Sequence, residues 1–384
     1  MSLFQLILQI NMIFNFGIFN LIITTFFTGF NLFLFPLSIL LIEEFVVENK
    51  GMIMGFFNAI YPFCGILLAI FFMTINNWKI IFIFLCISLS ILNYYIFRYL
   101  YESPRWLHAN GYRDKCLEIL TNISILNGIE KEWLDFKQNN PDVISSIGLN
   151  KKKYQLKNKI GIKTILNSKS SRFKFINCII NWFCTACCFF GIILYLDTMK
   201  GNFFENSILV FLGELIAEIF CGKLTDIYGR KKINIISSLI GTISFFLYFL
   251  LSSKYSGPML MLSMMGFAGV FLSLSIITSE IFATQIRGIT FSYCILITRI
   301  ATICIKLFGL FMKKNMVDFT FISCGIIVFI LTYKNIPETL NQKEKDFLSE
   351  DSGSIISGRN SFNISILYND SIKLDYSDKD KQYL

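Results

Sequence analysis

Residues 205–252 read ENSILVFLGELIAEIFCGKLTDIYGRKKINIISSLIGTISFFLYFLLS, two long apolar runs joined by a short charged turn. Each run, 205–223 and 233–252, has about the 20 residues that an α-helix needs to cross the hydrocarbon of a bilayer. The turn between them places an aspartate between two glycines and ends in three basic residues. This pattern predicts two membrane-spanning helices joined by a tight, charged turn at the membrane surface.

The composition of the whole chain extends this prediction. Of its 384 residues, 54% are hydrophobic and 16% charged, and the mean hydropathy is +0.59. A soluble protein could not bury that much apolar surface in one core, so the excess must face lipid. We predict ten spans, of which the first two could instead form one bent, re-entrant helix: 3–21, 24–42, 52–74, 79–99, 173–196, 205–223, 233–252, 257–279, 290–311 and 317–335.

The distribution of positive charge predicts the orientation. The polar stretch 102–172 holds thirteen Lys and Arg residues, and the loops on the opposite side hold few. Because cytoplasmic loops carry the excess of Lys and Arg, this stretch and both termini are expected in the cytoplasm. The net charge of +9 is therefore explained by membrane topology, and no nucleic acid partner is predicted.

Residue types that carry most enzyme chemistry are scarce. His108 is the only histidine, and the eleven cysteines lie mainly in or beside apolar runs, as small buried hydrophobes do. We find no nucleophile–base pair, metal-ligand cluster or phosphate-binding glycine loop in the sequence. The chain is predicted to be neither an enzyme nor a protein with a bound metal or cofactor.

The spans group into two bundles. We expect an N-terminal bundle of about four spans at 1–100, a cytoplasmic loop at 101–172, a six-helix bundle at 173–336 and a polar, disordered cytoplasmic tail at 337–384. Two helical bundles joined by such a loop are typical of secondary transporters.

Four motifs in the loops resemble those of the major facilitator superfamily, in its branch of organic anion, cation and zwitterion carriers. They are Gly222-Lys-Leu-Thr-Asp-Ile-Tyr-Gly-Arg-Lys, Glu102-Ser-Pro-Arg-Trp-Leu, Ser279-Glu-Ile-Phe-Ala-Thr-Gln-Ile-Arg-Gly and Pro337-Glu-Thr. The resemblance implies an all-α membrane fold of two bundles. It also implies about ten transmembrane helices instead of twelve, since only one helix fits before Phe26, where the fourth helix of the family would begin.

The charges of these motifs are expected at helix ends on the cytoplasmic face. Ion pairs that form in one arrangement of the bundles and break in the other would make a two-state gate. The resemblance implies that such a network closes the inner side of the carrier. The gate residues that we predict are Glu102, Arg105, Asp226, Gly229, Arg230, Glu280, Arg287 and Glu338.

Two cations lie inside one predicted span, 290–311. Arg299 and Lys306 are seven residues apart and so lie near one helix face. A charge inside the membrane marks a candidate functional site, and two cations facing a cavity would favour an anionic substrate. Lys306 could instead extend to the membrane surface. In the related carriers, arginine at the position of Arg299, twelve residues after Arg287, is typical of anion and carnitine transport.

Further candidates for substrate binding lie on two other spans. The run from Asn181 to Gly191 resembles an aromatic motif of the same branch and places Trp182, Phe189 and Phe190 in the site. Glu214, in a motif similar to that branch's Glu-Leu-Pro-Ala, and Glu218 share one helix face. Either glutamate could pair with Arg299 or bind a coupling proton.

These features favour transport of small organic anions or zwitterions by alternating access, and the plasma membrane is the expected location. The expected partners are the lipid bilayer, the organic ion and a coupling ion. Two alternatives stay open: a non-transporting relative of a carrier that binds a partner through its cytoplasmic loop, and a carrier of the sugar-porter type.

Overall fold

A computed structural model describes most of the chain, and its regular secondary structure in the described residues is helical. The described residues are 2–14, 17–29, 38–39, 41–42, 45–46, 49–75, 78–109, 112–141, 144, 166, 169–199, 201–251, 255–282 and 284–340. The loop residues Lys151 to Lys153 and the tail beyond Leu340 therefore lie outside the described residues.

Thirteen α-helices are present in this part of the chain, together with one 3₁₀ turn at Leu196–Thr198. The α-helices are α1 (Ser2–Phe14), α2 (Ile18–Gly29), α3 (Lys50–Thr74), α4 (Trp78–Tyr99), α5 (Pro104–Ala109), α6 (Arg113–Leu126), α7 (Glu130–Asn139), α8 (Lys169–Leu194), α9 (Phe203–Tyr228), α10 (Arg230–Leu250), α11 (Ser256–Ile281), α12 (Thr284–Phe311) and α13 (Lys314–Asn335).

Six helices in the described residues are long and apolar enough to cross a membrane: α3, α8, α10, α11, α12 and α13. They correspond to the predicted spans that begin at residues 52, 173, 233, 257, 290 and 317. Helix α9 has 26 residues and the necessary length, but it carries Glu214 and Glu218 in its middle. The apolar part of α4, Lys79–Tyr95, is shorter.

The first predicted span, 3–21, is not one helix. Helix α1 ends at Phe14 and α2 begins at Ile18, with Gly17 between them at φ 106°, a left-handed value that suits glycine. The asparagines that interrupt this apolar run pair across the turn, because the Asn11 amide donates to Asn20 Oδ1 at 3.1 Å and to Thr24 Oγ1 at 2.9 Å. The two helices form a hairpin.

The described part of this hairpin is shorter than two membrane spans. Helices α1 and α2 have 13 and 12 residues. At about 1.5 Å per residue, each is roughly 20 Å long, against about 30 Å of hydrocarbon. The second predicted span, 24–42, is described as continuous helix only to Gly29.

The chain divides into two compact units. The first consists of residues 1–40, 49–91 and 161–351. Its central element is α11, which is buried on nearly all sides and packs against α8, α9 and α10. Small residues permit this packing: a side-chain carbon on Gly266 would collide with the backbone of Gly241 in α10.

The second unit consists of residues 41–48, 92–160 and 352–384. Within it, helices α5, α6 and α7 have a small hydrophobic core of their own, formed by Leu107, Cys116, Leu120, Trp133 and Ile144. The Ser103 hydroxyl accepts the backbone N–H of Trp106 and so caps α5, in which Pro104 is the first residue. The stretch predicted as a polar loop thus contains a folded helical element.

Trp133 and Cys116 show how tightly this small core is packed. The Trp133 indole N–H donates to Thr121 Oγ1 at 3.0 Å, and the side chain is 4% exposed. The Cys116 thiol is fully buried, and burial raises its pKa to about 11. The reactive thiolate is therefore rare at neutral pH as long as the core is intact.

We expect Trp133→Ala to open this core, because removing a buried tryptophan costs about 3–5 kcal/mol. Labelling of Cys116 by a maleimide, followed by peptide mapping in a mass spectrometer, should then accelerate about tenfold or more. Leu134→Ala is the matched control, since Leu134 is the next residue and is 45% exposed. Equal labelling rates in the two variants would contradict the assignment of this core.

Candidate functional site

The carboxylate of Asp226 binds the N-terminus of helix α3. It accepts the backbone N–H of Gly51 at 3.0 Å and that of Met52 at 2.8 Å, two groups that have no partner within the helix. Since the N-terminus of a helix carries partial positive charge, a carboxylate is the side chain best suited to this position. The contact ties the end of α9 to the start of α3, about 175 residues earlier in the chain.

Glycines allow α3 and α9 to approach closely along what we call the α3–α9 seam. A side-chain carbon on Gly222 would lie 2.6 Å from the Gly51 carbonyl oxygen and 3.1 Å from the Gly55 Cα. A carbon on Gly55 would likewise collide with the backbone of Glu218. Further along, Gly65 faces the ring of Phe211. The helices are antiparallel here, with backbone against backbone at the end near Asp226.

Glu338 holds the start of helix α10 in the same way. Its two carboxylate oxygens accept the backbone N–H groups of Arg230 at 2.9 Å and Lys231 at 3.2 Å. Gly229, just before α10, has φ 103°, and a side-chain carbon there would be 2.5 Å from Glu338 Oε2. Both the backbone angle and the space require glycine at this position.

Arg230 connects these contacts. Its Nη2 lies 3.2 Å from Asp226 Oδ1 and 3.4 Å from Glu280 Oε1, and its Nη1 donates to the Thr225 carbonyl at 3.1 Å. The residue is 5% exposed. Removing one partner from such a buried pair typically costs about 3–5 kcal/mol, because the other charge is left without compensation. We call Asp226, Arg230, Glu280 and Glu338 the charged cluster.

The other charged residues predicted for the gate are Arg287, Glu102 and Arg105. Arg287 is buried on the first turn of α12. Glu102 and Arg105 belong to the second unit. Glu102 is exposed, and the side chain of Arg105 lies outside the described residues.

Inside the predicted membrane region, Arg299 of α12 lies over an aromatic ring. Its guanidinium carbon is 5.3 Å from the centre of the Phe190 ring of α8, a distance typical of cation–π contacts. The hydroxyl group of Tyr61 lies within electrostatic range of both Arg299 and Glu214. Phe190 and Tyr61 are thus the aromatic neighbours of the guanidinium.

Arg299 does not pair with Glu214 or Glu218. In the described part of the chain, ion pairs within 4.0 Å involve neither glutamate, and Arg299 Nε has no hydrogen-bond partner.

The other predicted substrate residues occupy different environments. Lys306 is exposed; its Nζ donates to the carbonyl of Leu194 at 3.3 Å and lies 5.2 Å from the ring of Tyr195. This arrangement is compatible with the alternative for Lys306, in which its side chain extends to the membrane surface and does not face a cavity.

Trp182 and Phe189 are part of the packed interior. The Trp182 indole is fully buried, donates to Thr278 Oγ1 at 2.9 Å and meets the ring of Phe271 edge-on. Phe189 is 4% exposed and stacks on the same Phe271 ring. Neither side chain is available to a substrate in this conformation, so the aromatic motif contributes only Phe190 to the site.

Two polar residues of α3 carry no role in the sequence-based predictions. Asn58 and Tyr61 are three residues apart on an otherwise apolar helix and face Glu218 and Glu214 of α9. The sequence signal for this contact is Asn58, an asparagine within a predicted span. A polar group in a lipid-spanning helix usually faces other protein groups.

Comparison with known proteins identifies the family. Residues 1–303 match the Major Facilitator Superfamily. The beta-alanine transporter of Drosophila melanogaster is 24% identical over 76% of this chain and 48% of its own length. Solute carrier family 22 member 6-A of Xenopus laevis is 23% identical over 81% of this chain and 56% of its own. The chain thus spans about half the length of the curated relatives it matches.

Solved structures show the same fold. The proton:xylose symporter XylE bound to 6-bromo-6-deoxy-D-glucose superposes with a TM-score of 0.56 and 19% identity, over 79% of this chain and 68% of that one. A double tryptophan mutant of XylE gives 0.57 and 18%. At these identities the likeness concerns the fold alone, and it agrees with the predicted all-α membrane architecture.

We expect Gly222→Ala to destabilise the protein, because its new methyl group would press on the backbone of Gly51 and Gly55. Overpacking of this kind costs about 1–3 kcal/mol, which lowers the melting temperature in detergent by several degrees. Gly288→Ala is the control: Gly288 is also helical, has nothing within 4 Å of the added carbon, and should melt at or slightly above the wild-type temperature. Equal melting of the two variants would contradict the close packing at Gly222.

Proposed function

Since this multi-pass membrane protein belongs to the Major Facilitator Superfamily, whose members are transporters rather than enzymes, we propose that it carries small organic anions or zwitterions across a membrane. The observation that supports this proposal most directly is Arg299, a cation inside a predicted span that lies on an aromatic ring and has no carboxylate partner in the described residues. The missing anion would be the substrate.

The cost of placing an arginine in the membrane supports a binding role. A charged side chain in the bilayer interior costs several kcal/mol unless it is paired or hydrated, and such residues usually mark a substrate or ion pathway. A guanidinium binds a carboxylate through two parallel hydrogen bonds, which gives both strength and orientation. A substrate carboxylate would therefore supply the charge and the acceptors that Arg299 lacks.

The aromatic neighbours suggest how the rest of the substrate would bind. Phe190 and Tyr61 offer flat apolar surfaces beside the guanidinium, and Tyr61 adds a hydroxyl group. Two of the relatives are named for beta-alanine and for organic cations and carnitine, and beta-alanine and carnitine both contain a carboxylate. This agrees with a small carboxylate-bearing ion as substrate.

The charged cluster would act as a gate. Asp226 joins α9 to α3, and Arg230 pairs with that carboxylate and with Glu280, so the seam is held closed at this end. Alternating access requires that such contacts break when the bundles move. We place this end, and both termini, on the cytoplasmic side of a plasma membrane, as the positive charges predict.

Replacement of Arg299 tests the substrate proposal. Arg299→Ala should reduce uptake of a labelled organic carboxylate into reconstituted vesicles by about 10- to 100-fold, because a charge-assisted contact of about 2–3 kcal/mol is lost. Arg299→Lys should recover only part of this loss, because an ammonium group cannot form two parallel hydrogen bonds.

Lys306→Ala provides the matched control on the same helix, and its uptake should stay near the wild-type rate. Uptake of organic cations in place of anions by the unmodified protein would refute the substrate class. Equal losses in the Arg299 and Lys306 variants would show that the effect is not specific to the site.

Replacement of Asp226 tests the gate. Asp226→Asn keeps the shape of the side chain but removes the charge that faces the α3 N-terminus and Arg230, so uptake should fall about tenfold while membrane insertion is unchanged. Asp197→Asn, at an exposed carboxylate just after α8, should transport normally. If the two variants transport equally well, the cluster is not the gate.

A further inference from the structure

Two carboxyl groups are buried side by side on α9. Glu214 and Glu218 are one helical turn apart and are each 2% exposed. Within the described residues neither takes part in an ion pair, and the Oε2 atom of each has no hydrogen-bond partner. Ion pairs therefore do not offset the cost of burying these two carboxyl groups, and packing does not explain it.

Helix α3 presents two polar residues to this pair. The Asn58 amide lies against the Glu218 carboxyl group without meeting the geometry of a hydrogen bond. Asn58 is 4% exposed, and neither its amide nitrogen nor its amide oxygen has a partner. Tyr61 is the electrostatic neighbour of Glu214. The seam thus contains a buried amide whose donor and acceptor are both unused.

Other helices bring no charge that could neutralise the pair. Residues 256–279 of α11, which packs against α9, include no acidic, basic, cysteine or tyrosine side chain. From α10, Ser237 contacts Cys221 at 3.9 Å, and Cys221 is an electrostatic neighbour of Glu218. Arg299 of α12 reaches Tyr61 but neither glutamate.

The energetics favour neutral acids here. An ionised carboxylate without a partner costs several kcal/mol in the interior of a protein, and two of them one turn apart also repel each other. A protonated carboxyl group costs much less and gains an O–H donor. At Glu218 that donor has an acceptor within reach in the unused Asn58 oxygen.

We propose that Glu214 and Glu218, together with Asn58, form a proton-binding site that is occupied while the α3–α9 seam is closed. The proposal rests on the function proposed above, and it assigns the coupling ion of that carrier as H⁺. On opening, water enters the seam and each carboxylic acid loses H⁺ to that water, leaving a carboxylate. The cycle is completed when protons from the opposite aqueous side restore both acids and the seam closes.

The position of the pair links proton binding to the gate. Glu218 and Glu214 are 8 and 12 residues from Asp226 along α9, or about 12 and 18 Å along a helix. The middle of the hydrocarbon is about 15 Å from its edge. The carboxyl groups therefore lie near mid-membrane, in the same seam that Asp226 closes at one end. Since the closed seam would bind protons more tightly than the open one, protonation shifts the equilibrium towards closure.

The pair also sets a stoichiometry. Two carboxylic acids that each lose H⁺ on opening would transfer two protons with one organic carboxylate, which carries one net positive charge per cycle. Arg299 would bind the anion and the glutamates would bind the protons, and Tyr61 is an electrostatic neighbour of both Arg299 and Glu214. The two sites are then distinct and can be disabled separately.

Infrared spectroscopy can detect the proton directly. In wild-type protein reconstituted in lipid at pH 7, where exposed glutamic acids are ionised, we expect the C=O stretching band of a protonated carboxyl group, with its characteristic shift in D₂O. Glu214→Gln and Glu218→Gln should each weaken this band, and the double variant should abolish it. Glu205→Gln, at an exposed glutamate on the first turn of α9, should leave it unchanged.

A flux measurement completes the test. Addition of a labelled organic carboxylate to vesicles that contain a pH-sensitive dye should produce coupled proton entry in the wild type, which Glu218→Gln abolishes. A wild-type spectrum without the band at pH 7, or a band that survives the double substitution, overturns the proton site even if Arg299-dependent uptake is intact. Uptake that fails while the band behaves as expected overturns the transport proposal and leaves the proton site standing.

Discussion

The contact between the Asp226 carboxylate and the N-terminus of α3 is the constraint on which the other features of the site depend. It fixes the axial register of α3 against α9, and this register brings Gly51 and Gly55 opposite Gly222, Asn58 opposite Glu218 and Tyr61 opposite Glu214. A shift by one residue would turn the polar side chains of α3 away from the glutamates and set larger side chains against a backbone. One carboxylate and two N–H groups thus define both the closed end of the seam and the polar site within it.

The loop motifs were the part of the site that sequence could predict. Asp226, Gly229, Arg230, Glu280 and Glu338 lie together because each sits at a helix end, where local chemistry dictates what a carboxylate or a glycine can do. Six of the eight spans from residue 52 onward, all but 79–99 and 205–223, were predictable for a similar reason, since hydropathy alone selects long apolar helices. The N-terminal hairpin was not, because a left-handed glycine and three polar side chains interrupt an apolar run that has the length of a span.

Inside the membrane, sequence predicted the important residues less well. Trp182, Phe189 and Phe190 are neighbours in sequence with similar chemistry, but only the direction of each side chain decides whether it packs or lines a site. Arg299 and Lys306 share a helix face, yet their distances from the helix end separate a half-buried cation from an exposed one. The role of Asn58 depends on which helix lies opposite, a long-range contact that no local pattern of residues encodes.

The glycines of the α3–α9 seam also bear on how fast the two helices can part. Where side chains interlock, separation must first withdraw each one from its socket, and close packing resists this until many contacts are lost together. At Gly51, Gly55 and Gly222 the helices meet backbone to backbone, so no side chain has to leave a socket before they slide past each other. The resistance to motion is then concentrated in the hydrogen bonds at one end. The hydrogen bonds at the Asp226 end, and not interlocked side chains along the helices, therefore hold the seam closed.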